Sequence, residues 1–196
     1  MMQMKVLLFS EGKNLFSKSG VGQALNHQKE ALGANNVEFT LDEKDDYDLV
    51  HINTIGLKSF QVLRQAKKRG IPVIYHTHTT YEDFKGSVKF SNQIAPIIKF
   101  WTKILYNSAD FLISPSEYTK NLIKTKYLRK DKEIRVISNG VDTKNFCKNE
   151  ELKNKFLEEY KIDKPLVITA GLPFERKGIQ DFMKLAEKRK DYQFMW

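Results

Sequence analysis

Three of the four histidines in this chain fall in two short runs. These are Val50-His51-Ile52-Asn53-Thr54 and Tyr75-His76-Thr77-His78-Thr79-Thr80-Tyr81-Glu82-Asp83. Each run is apolar at its start and polar at its end, the pattern of a buried strand that releases hydrogen-bonding side chains at its tip. His51, Asn53, His76, His78 and Glu82 then meet at one sheet edge, where imidazoles, amides and carboxylates can hold a polar ligand and move protons. A lone histidine is more often a satisfied structural residue, but three converging on one edge favour a cleft that binds or reacts. A zinc site would take His76 and His78 with His51 as third ligand. Polar strand tips account for the same residues without a metal, so none is expected.

Two further stretches suit anions. Ser17-Lys18-Ser19-Gly20-Val21-Gly22 follows an apolar run and precedes a helical pattern. Gly20 and Gly22 there allow close backbone approach, and the helix start offers unpaired N–H groups to a phosphate. Later, Ala170-Gly171-Leu172-Pro173-Phe174-Glu175-Arg176-Lys177-Gly178-Ile179 reads as a strand, a turn and a helix start. Arg176 and Lys177 put two cations beside helix N–H groups, a ready diphosphate site. The alternative for both is an ordinary solvent-exposed loop. Lysines across residues 120–132 read as solvated surface, because only Tyr118 and Tyr127 are near enough to stack bases, and no nucleic-acid partner is expected.

The elements that position these groups alternate regularly. Strand-like runs fall at residues 5–9, 37–41, 47–53, 72–76, 111–114 and 134–137, and helical patterns at 21–32, 57–69, 92–108 and 118–127. Near-continuous apolar strands between helices imply a parallel sheet buried on both faces, an open doubly wound α/β domain. Asn139-Gly140 then breaks the pattern. A charged helix follows at 150–160, and the alternation restarts with a strand at 166–170, a loop at 171–178, a helix at 179–189 and a strand at 192–196. The division expected is a first domain over 1–145, a linker with its charged helix over 146–164, and the opening βαβ unit of a second domain over 165–196. One such unit cannot cover its own sheet, so a truncated second domain is expected.

The helix at 92–108 carries Ile94, Ile97, Ile98, Trp101, Ile104 and Leu105 on one face, with Lys99 and Lys103 opposite and Pro96 in the first turn. Such a stripe most simply faces a core. Its other reading is a face that docks on anionic lipid through Ile97, Trp101 and Lys103. Composition allows both. The chain has 41% hydrophobic residues, a net charge of +9 and a single cysteine, Cys147. A disordered chain, a disulfide framework and an all-cysteine metal site are excluded, and an anionic partner is favoured. The start shows neither a signal peptide nor a span of about 20 apolar residues. A cytoplasmic or inner-face peripheral location is expected.

Taken in order, Gly20-Val21-Gly22, Val50-His51-Ile52-Asn53, His76-Thr77-His78, Ser116-Glu117-Tyr118-Thr119, Ile137-Ser138-Asn139-Gly140-Val141-Asp142 and Glu175-Arg176-Lys177-Gly178 resemble the retaining GT-B glycosyltransferases of family four. The stretch from Glu11-Gly12-Lys13 to Gly22, with His51-Ile52-Asn53-Thr54 and Glu82-Asp83-Phe84, is most similar to bacterial enzymes that glycosylate diacylglycerol glycolipids. The resemblance implies two Rossmann-like domains facing a cleft. It implies metal-independent, cofactor-free transfer of a hexose with retention, from a nucleotide diphosphate sugar, the usual one being a UDP-hexose, to diacylglycerol or its monoglucosyl derivative. By position it implies that His76 lines the reaction centre, that Gly20 and Gly22 lie against the donor, and that Lys177 with Arg176 neutralises the departing diphosphate. His51, Asn53, His78 and Glu82 fall to the acceptor. Many relatives carry Gly-Arg where this chain has Gly171-Leu172, so Arg176 would have to substitute. The family's paired-glutamate motif does not occur within residues 1–196, which implies that this stretch alone is inactive. A soluble glycan acceptor, or a non-catalytic module binding phosphate or a membrane, are the other readings the residues leave open.

Overall fold

The computed structural model describes residues 4–12, 20–86, 91–173 and 175–196, with the Arg176 side chain outside the description. The chain divides into two compact units, residues 1–82 with 94–141 and residues 83–93 with 142–196.

The first unit is built on six strands: β1 (Lys5–Phe9), β2 (Glu38–Thr40), β3 (Leu49–Ile52), β4 (Val73–His76), β5 (Phe111–Ser114) and β6 (Ile134–Val136). They form one sheet in the order β2-β1-β3-β4-β5-β6, and every pairing is parallel. Helices α1 (Gly20–Ala34), α2 (Leu57–Lys68), a short α3 (Tyr81–Phe84), α4 (Ser91–Ser108) and α5 (Glu117–Lys126) make the connections, residues 83–84 of α3 and 91–93 of α4 being grouped with the second unit. This is the doubly wound α/β fold that the alternating pattern predicts. Strand order reverses between β1 and β3, and ligands of such sheets bind at that point, beyond the carboxyl ends of the strands.

The main core lies on one face of the sheet, where Leu7, Val50, Ile52, Val73, Tyr75 and Leu112 meet Val62, Leu63 and Ala66 of α2, Leu105 and Tyr106 of α4, and Ile123 of α5. Tyr75 and Tyr106 pack edge to face at 5.3 Å, and their hydroxyls donate to the backbone carbonyls of Thr54 and Thr79. The phenols thereby tie the loops after β3 and β4, which carry the candidate chemistry, to the centre of the core.

Helix α4 is rotated from the orientation its apolar residues suggest. Its buried stripe is Ser91, Ala95, Thr102 and Leu105, continued by Ala109 just beyond its end, while Ile94, Ile97 and Phe100 are exposed. Thr102 can be buried because its hydroxyl donates to Ile98 O at 2.8 Å within the helix. Pro96 sits inside the helix rather than in its first turn, since the helix begins at Ser91. At the other end, Lys132 Nζ donates to Tyr106 O, Asn107 O and Ala109 O at 2.5–2.9 Å, placing a cation on the negative pole of the helix. Among the described residues no helix is long and apolar enough to cross a membrane.

The second unit contains α6 (Glu150–Glu159), β7 (Leu166–Ile168), a 3-10 turn at Glu175–Lys177, α7 (Ile179–Lys188) and β8 (Gln193–Met195), with β7 and β8 parallel. Asn149 caps α6 by accepting from Leu152 N at 2.9 Å. Phe182 of α7 packs edge to face on Phe194 and Trp196 at 5.4 Å, which holds the helix against β8 and the residue that follows it.

Candidate functional site

Parallel pairing of β3 with β4 sets His51 opposite Ile74, so His51, Ile74 and His76 share one sheet face. The His51 and His76 rings lie nearly parallel with centroids 5.5 Å apart. A tight turn after β4, in which His78 N donates to His76 O at 3.0 Å, folds His78 back onto His76 at 3.9 Å. The result is a stack of three imidazoles at the carboxyl edge of the sheet.

Asn53 from the tip of β3 and Gln28 from the middle of α1 hold this stack. Their side-chain amides pair reciprocally, Gln28 Nε2 donating to Asn53 Oδ1 at 2.9 Å and Asn53 Nδ2 to Gln28 Oε1 at 3.0 Å. Gln28 Nε2 also approaches His76 Nδ1 at 3.1 Å, and His78 Nε2 approaches Asn53 Oδ1 at 3.1 Å. His76 is 4% exposed and Asn53 2%. Among the described residues, Nε2 of His51 and of His76 are both buried without a hydrogen-bond partner. A buried polar atom left unpaired is costly, and at a cleft it marks a place for a ligand.

All three rings are kept neutral. Burial first, then the like charge of His78, lower His51 to about 4. Burial, then His78 and His51, take His76 down to about 2, and burial alone lowers His78 to about 4. Neutral imidazoles here offer directed N–H groups and lone pairs at physiological pH rather than charge. Among the described residues no group of three or more His, Cys, Asp or Glu is arranged to hold a metal ion. Stacked rings aim their nitrogens alongside one another instead of at a common point.

Two cavities open beside the network. One, of about 490 Å³, is lined by His51, His76, Gln28 and His27 and by the Ser138-Asn139-Gly140 turn. His27 donates from Nδ1 to Asn139 O at 2.8 Å, which ties α1 to that turn, and Gly140 adopts a φ of +76° there. The other, of about 320 Å³, is lined by Glu11, Gly12, Val21, Asn53, Thr54, Ile55, Gly56 and Thr79, at the strand-order reversal between β1 and β3. Glu11 is held there as the cap of α2, accepting from Ser59 N at 3.2 Å and Ser59 Oγ at 3.3 Å. A β-carbon at Gly56 would overlap the end of the Glu11 side chain, so a larger residue there would push that carboxylate off the helix start.

The remaining candidate residues are distributed as follows. Gly20 and Gly22 open α1, while residues 13–19, including the Ser17-Lys18-Ser19 part of the motif, lie outside the described residues. Glu82 does not line either cavity. It accepts from Tyr127 Oη at 2.9 Å and from Lys126 Nζ at 3.2 Å. Burial works to raise its carboxyl, but hydrogen bonds from its own backbone amide, Tyr127 and Lys126 outweigh this and hold it below the usual value. Ser116 of the Ser-Glu-Tyr-Thr motif is the cap of α5, accepting from Thr119 N at 3.1 Å. In the second unit Lys177 is exposed on the 3-10 turn before Gly178, whose φ of +82° starts α7. Trp101 faces inward, its indole donating to Ile55 O at 2.5 Å and packing edge to face on Phe60, whereas Ile97 and Phe100 are 66% and 63% exposed. Lys103 is half-buried on the same helix.

Gln28, His27 and Glu11 are the participants the sequence reading misses. Gln28 and His27 lie in an unexceptional helical stretch, and only their spacing of one turn from Ala24 and Ala31, which also line the larger cavity, hints at a shared face.

The family model for Glycosyltransferase Family 4 matches residues 26–145. The chain is 37% identical over 195 residues to the processive diacylglycerol alpha-glucosyltransferase of Acholeplasma laidlawii, covering 98% of this chain and 57% of that protein. It is 30% identical over 116 residues to the alpha-monoglucosyldiacylglycerol synthase of Streptococcus pneumoniae, covering 57% of this chain and 25% of that protein. The crystal structure of Anabaena HepE in complex with UDP-glucose superimposes with a TM-score of 0.66 at 16% identity, over 98% of this chain and 60% of that one. The chain thus spans a little over half the length of the Acholeplasma relative, and its fold matches that of a GT-B glycosyltransferase. With the ordered motifs carried on that fold, the chain belongs to glycosyltransferase family 4.

Proposed function

We propose that the whole protein transfers glucose from UDP-glucose to diacylglycerol or monoglucosyl-diacylglycerol, with retention and without a metal. The observation that carries this reading is His76, with its Nε2 buried and without a hydrogen-bond partner among the described residues, in the lining of a 490 Å³ cavity of a chain 37% identical to a diacylglycerol glucosyltransferase. In the reaction the bond from the anomeric carbon to the diphosphate oxygen breaks, and the bond to the acceptor hydroxyl oxygen forms. The hydroxyl proton leaves with the diphosphate. His76 contacts the reacting sugar as a neutral donor. Gly20 and Gly22 keep the start of α1 open to phosphate oxygens. Lys177 and Arg176 offset the charge that grows on the diphosphate, the part a divalent ion plays in other enzymes. His51, Asn53 and His78 orient the acceptor. Glu82 does so indirectly, by fixing α3 against Tyr127.

The full-length protein, vesicles containing monoglucosyl-diacylglycerol and labelled UDP-glucose test this directly. An α-linked diglucosyl lipid formed equally well in EDTA is expected. A β-linked product or loss of turnover in EDTA would refute retention or metal independence. A product on a soluble glycan alone would refute the lipid acceptor.

The proposed membrane contact is peripheral, on the inner leaflet, through the exposed Ile94, Ile97 and Phe100, with the half-buried Lys103 on the same helix. Burying one phenyl ring contributes about 1.5–3 kcal/mol. Phe100→Asp is therefore expected to weaken co-sedimentation with anionic vesicles at least about tenfold. Unchanged sedimentation would remove this helix from the membrane contact.

A further inference from the structure

We infer that Gln28 is a positioning residue: its side-chain amide, clamped by Asn53, makes Nδ1 of His76 an acceptor and so fixes the ring's proton on Nε2. The argument is one of counting protons. Gln28 Nε2 carries two hydrogens, and two acceptors lie within reach, Asn53 Oδ1 at 2.9 Å and His76 Nδ1 at 3.1 Å. Gln28 Oε1 is engaged by Asn53 Nδ2 at 3.0 Å. With both Gln28 hydrogens committed in this amide orientation, a neutral His76 carries its single proton on Nε2, an atom buried without a hydrogen-bond partner among the described residues.

Asn53 extends the same logic to the third ring. Its Oδ1 already accepts from Gln28 and also accepts from His78 Nε2 at 3.1 Å, so His78 is protonated on Nε2 as well. Turning Gln28 over would bring its oxygen against Asn53 Oδ1 unless Asn53 also turned and both imidazoles moved their protons. The amide pair and the two rings are therefore ordered as one unit, and Gln28 is the member that touches His76.

The kinetic arm of the test rests on the proposed glucosyl transfer, whereas the spectroscopic arm does not. In full-length protein labelled with 15N at histidine, two-bond 1H–15N correlations report which ring nitrogen is protonated. His76 is expected as the Nε2–H form. Gln28→Glu keeps the shape but removes both amide hydrogens, so His76 is expected to move its proton to Nδ1. In the transfer assay kcat is expected to fall about tenfold or more with the KM for UDP-glucose little changed, the signature of a lost transition-state contact. Gln28→Met, which offers no hydrogen bond of either sense, is expected to give a mixture of tautomers and an intermediate rate. A tautomer that does not respond to Gln28→Glu overturns the inference, as does a wild-type His76 protonated on Nδ1. A tautomer that moves while kcat stays constant overturns the positioning role. A tautomer that moves in a protein with no glucosyl transfer supports the inference and refutes the proposed reaction.

Discussion

Lowering the pH from 7 to 5 is expected to remove on the order of 5 kcal/mol of folding stability, a large share of the 5–15 kcal/mol typical of a domain. The cause is the stack of His51, His76 and His78. An unfolded chain binds a proton at each of these residues near the ordinary value of 6.5, whereas the folded rings are lowered to about 4, about 2 and about 4. Above 6.5 both states leave the rings neutral, and they contribute no pH dependence. Below 6.5 the unfolded state gains protons that the folded state refuses, so stability falls by about 1.4 kcal/mol per pH unit for each ring. The fall ends only where the folded rings themselves titrate, near pH 4 for His51 and His78 and near pH 2 for His76. Over the interval from 6.5 to 5 the loss is about 2 kcal/mol per ring, reduced somewhat because His51 and His78 are only half-buried. The lowered carboxyls of Glu82 and Asp110 act in a different window. Their stabilisation is present above the ordinary carboxylate values of 4.5 and 3.8, and it is lost only as the pH falls through and below them. Urea unfolding followed at pH 7, 6 and 5 separates the two. A denaturation midpoint constant down to pH 5 would mean that the rings are not held neutral by the fold.

The histidines were legible in the sequence because two physical rules coincide there. Buried parallel strands are apolar runs, and the first polar residues after such a run sit at the sheet edge where this fold binds ligands. Val50-His51-Ile52-Asn53 and Tyr75-His76-Thr77-His78 satisfy both rules. The strand pattern was equally plain, since Lys5–Phe9 and Phe111–Ser114 fall where the apolar runs put them. What stayed hidden depends on contacts between distant segments. Gln28 is one polar residue among several on α1 until the strand tips are docked against it. Glu11 reads as a loop acid, yet it caps a helix 46 residues further on, at Leu57. The face of α4 was misjudged for a local reason. Thr102 and Ser91 look polar in a list, but a threonine that donates to its own helix is a tolerable core residue, and their burial turns Ile97 and Phe100 outward. Trp101 is amphipathic, and its N–H found a carbonyl at Ile55.

On the proposed reading, His76→Ala is expected to lower kcat by about 10²–10³, the usual cost of deleting one preorganised donor at a reacting centre. The same change should also be visible in stability. Removing one of the three rings removes its share of the proton uptake on unfolding, so the loss between pH 6.5 and 5 should shrink by about 2 kcal/mol. Side-chain geometry separates the two ring nitrogens. A glutamine side chain can bring its amide N–H close to the position of the imidazole Nε2, whereas asparagine reaches only the neighbourhood of Nδ1. If the Nε2–H of His76 does the work, His76→Gln should retain more of kcat than His76→Asn, although both lose the ring and its titration. Equal activity in the two variants would place the contribution of His76 in ring packing against His51 and His78 rather than in its Nε2–H. A kcat within about threefold of wild type in His76→Ala, with the acid sensitivity reduced as expected, would leave the stack as a structural feature and move the reaction centre elsewhere in the unit.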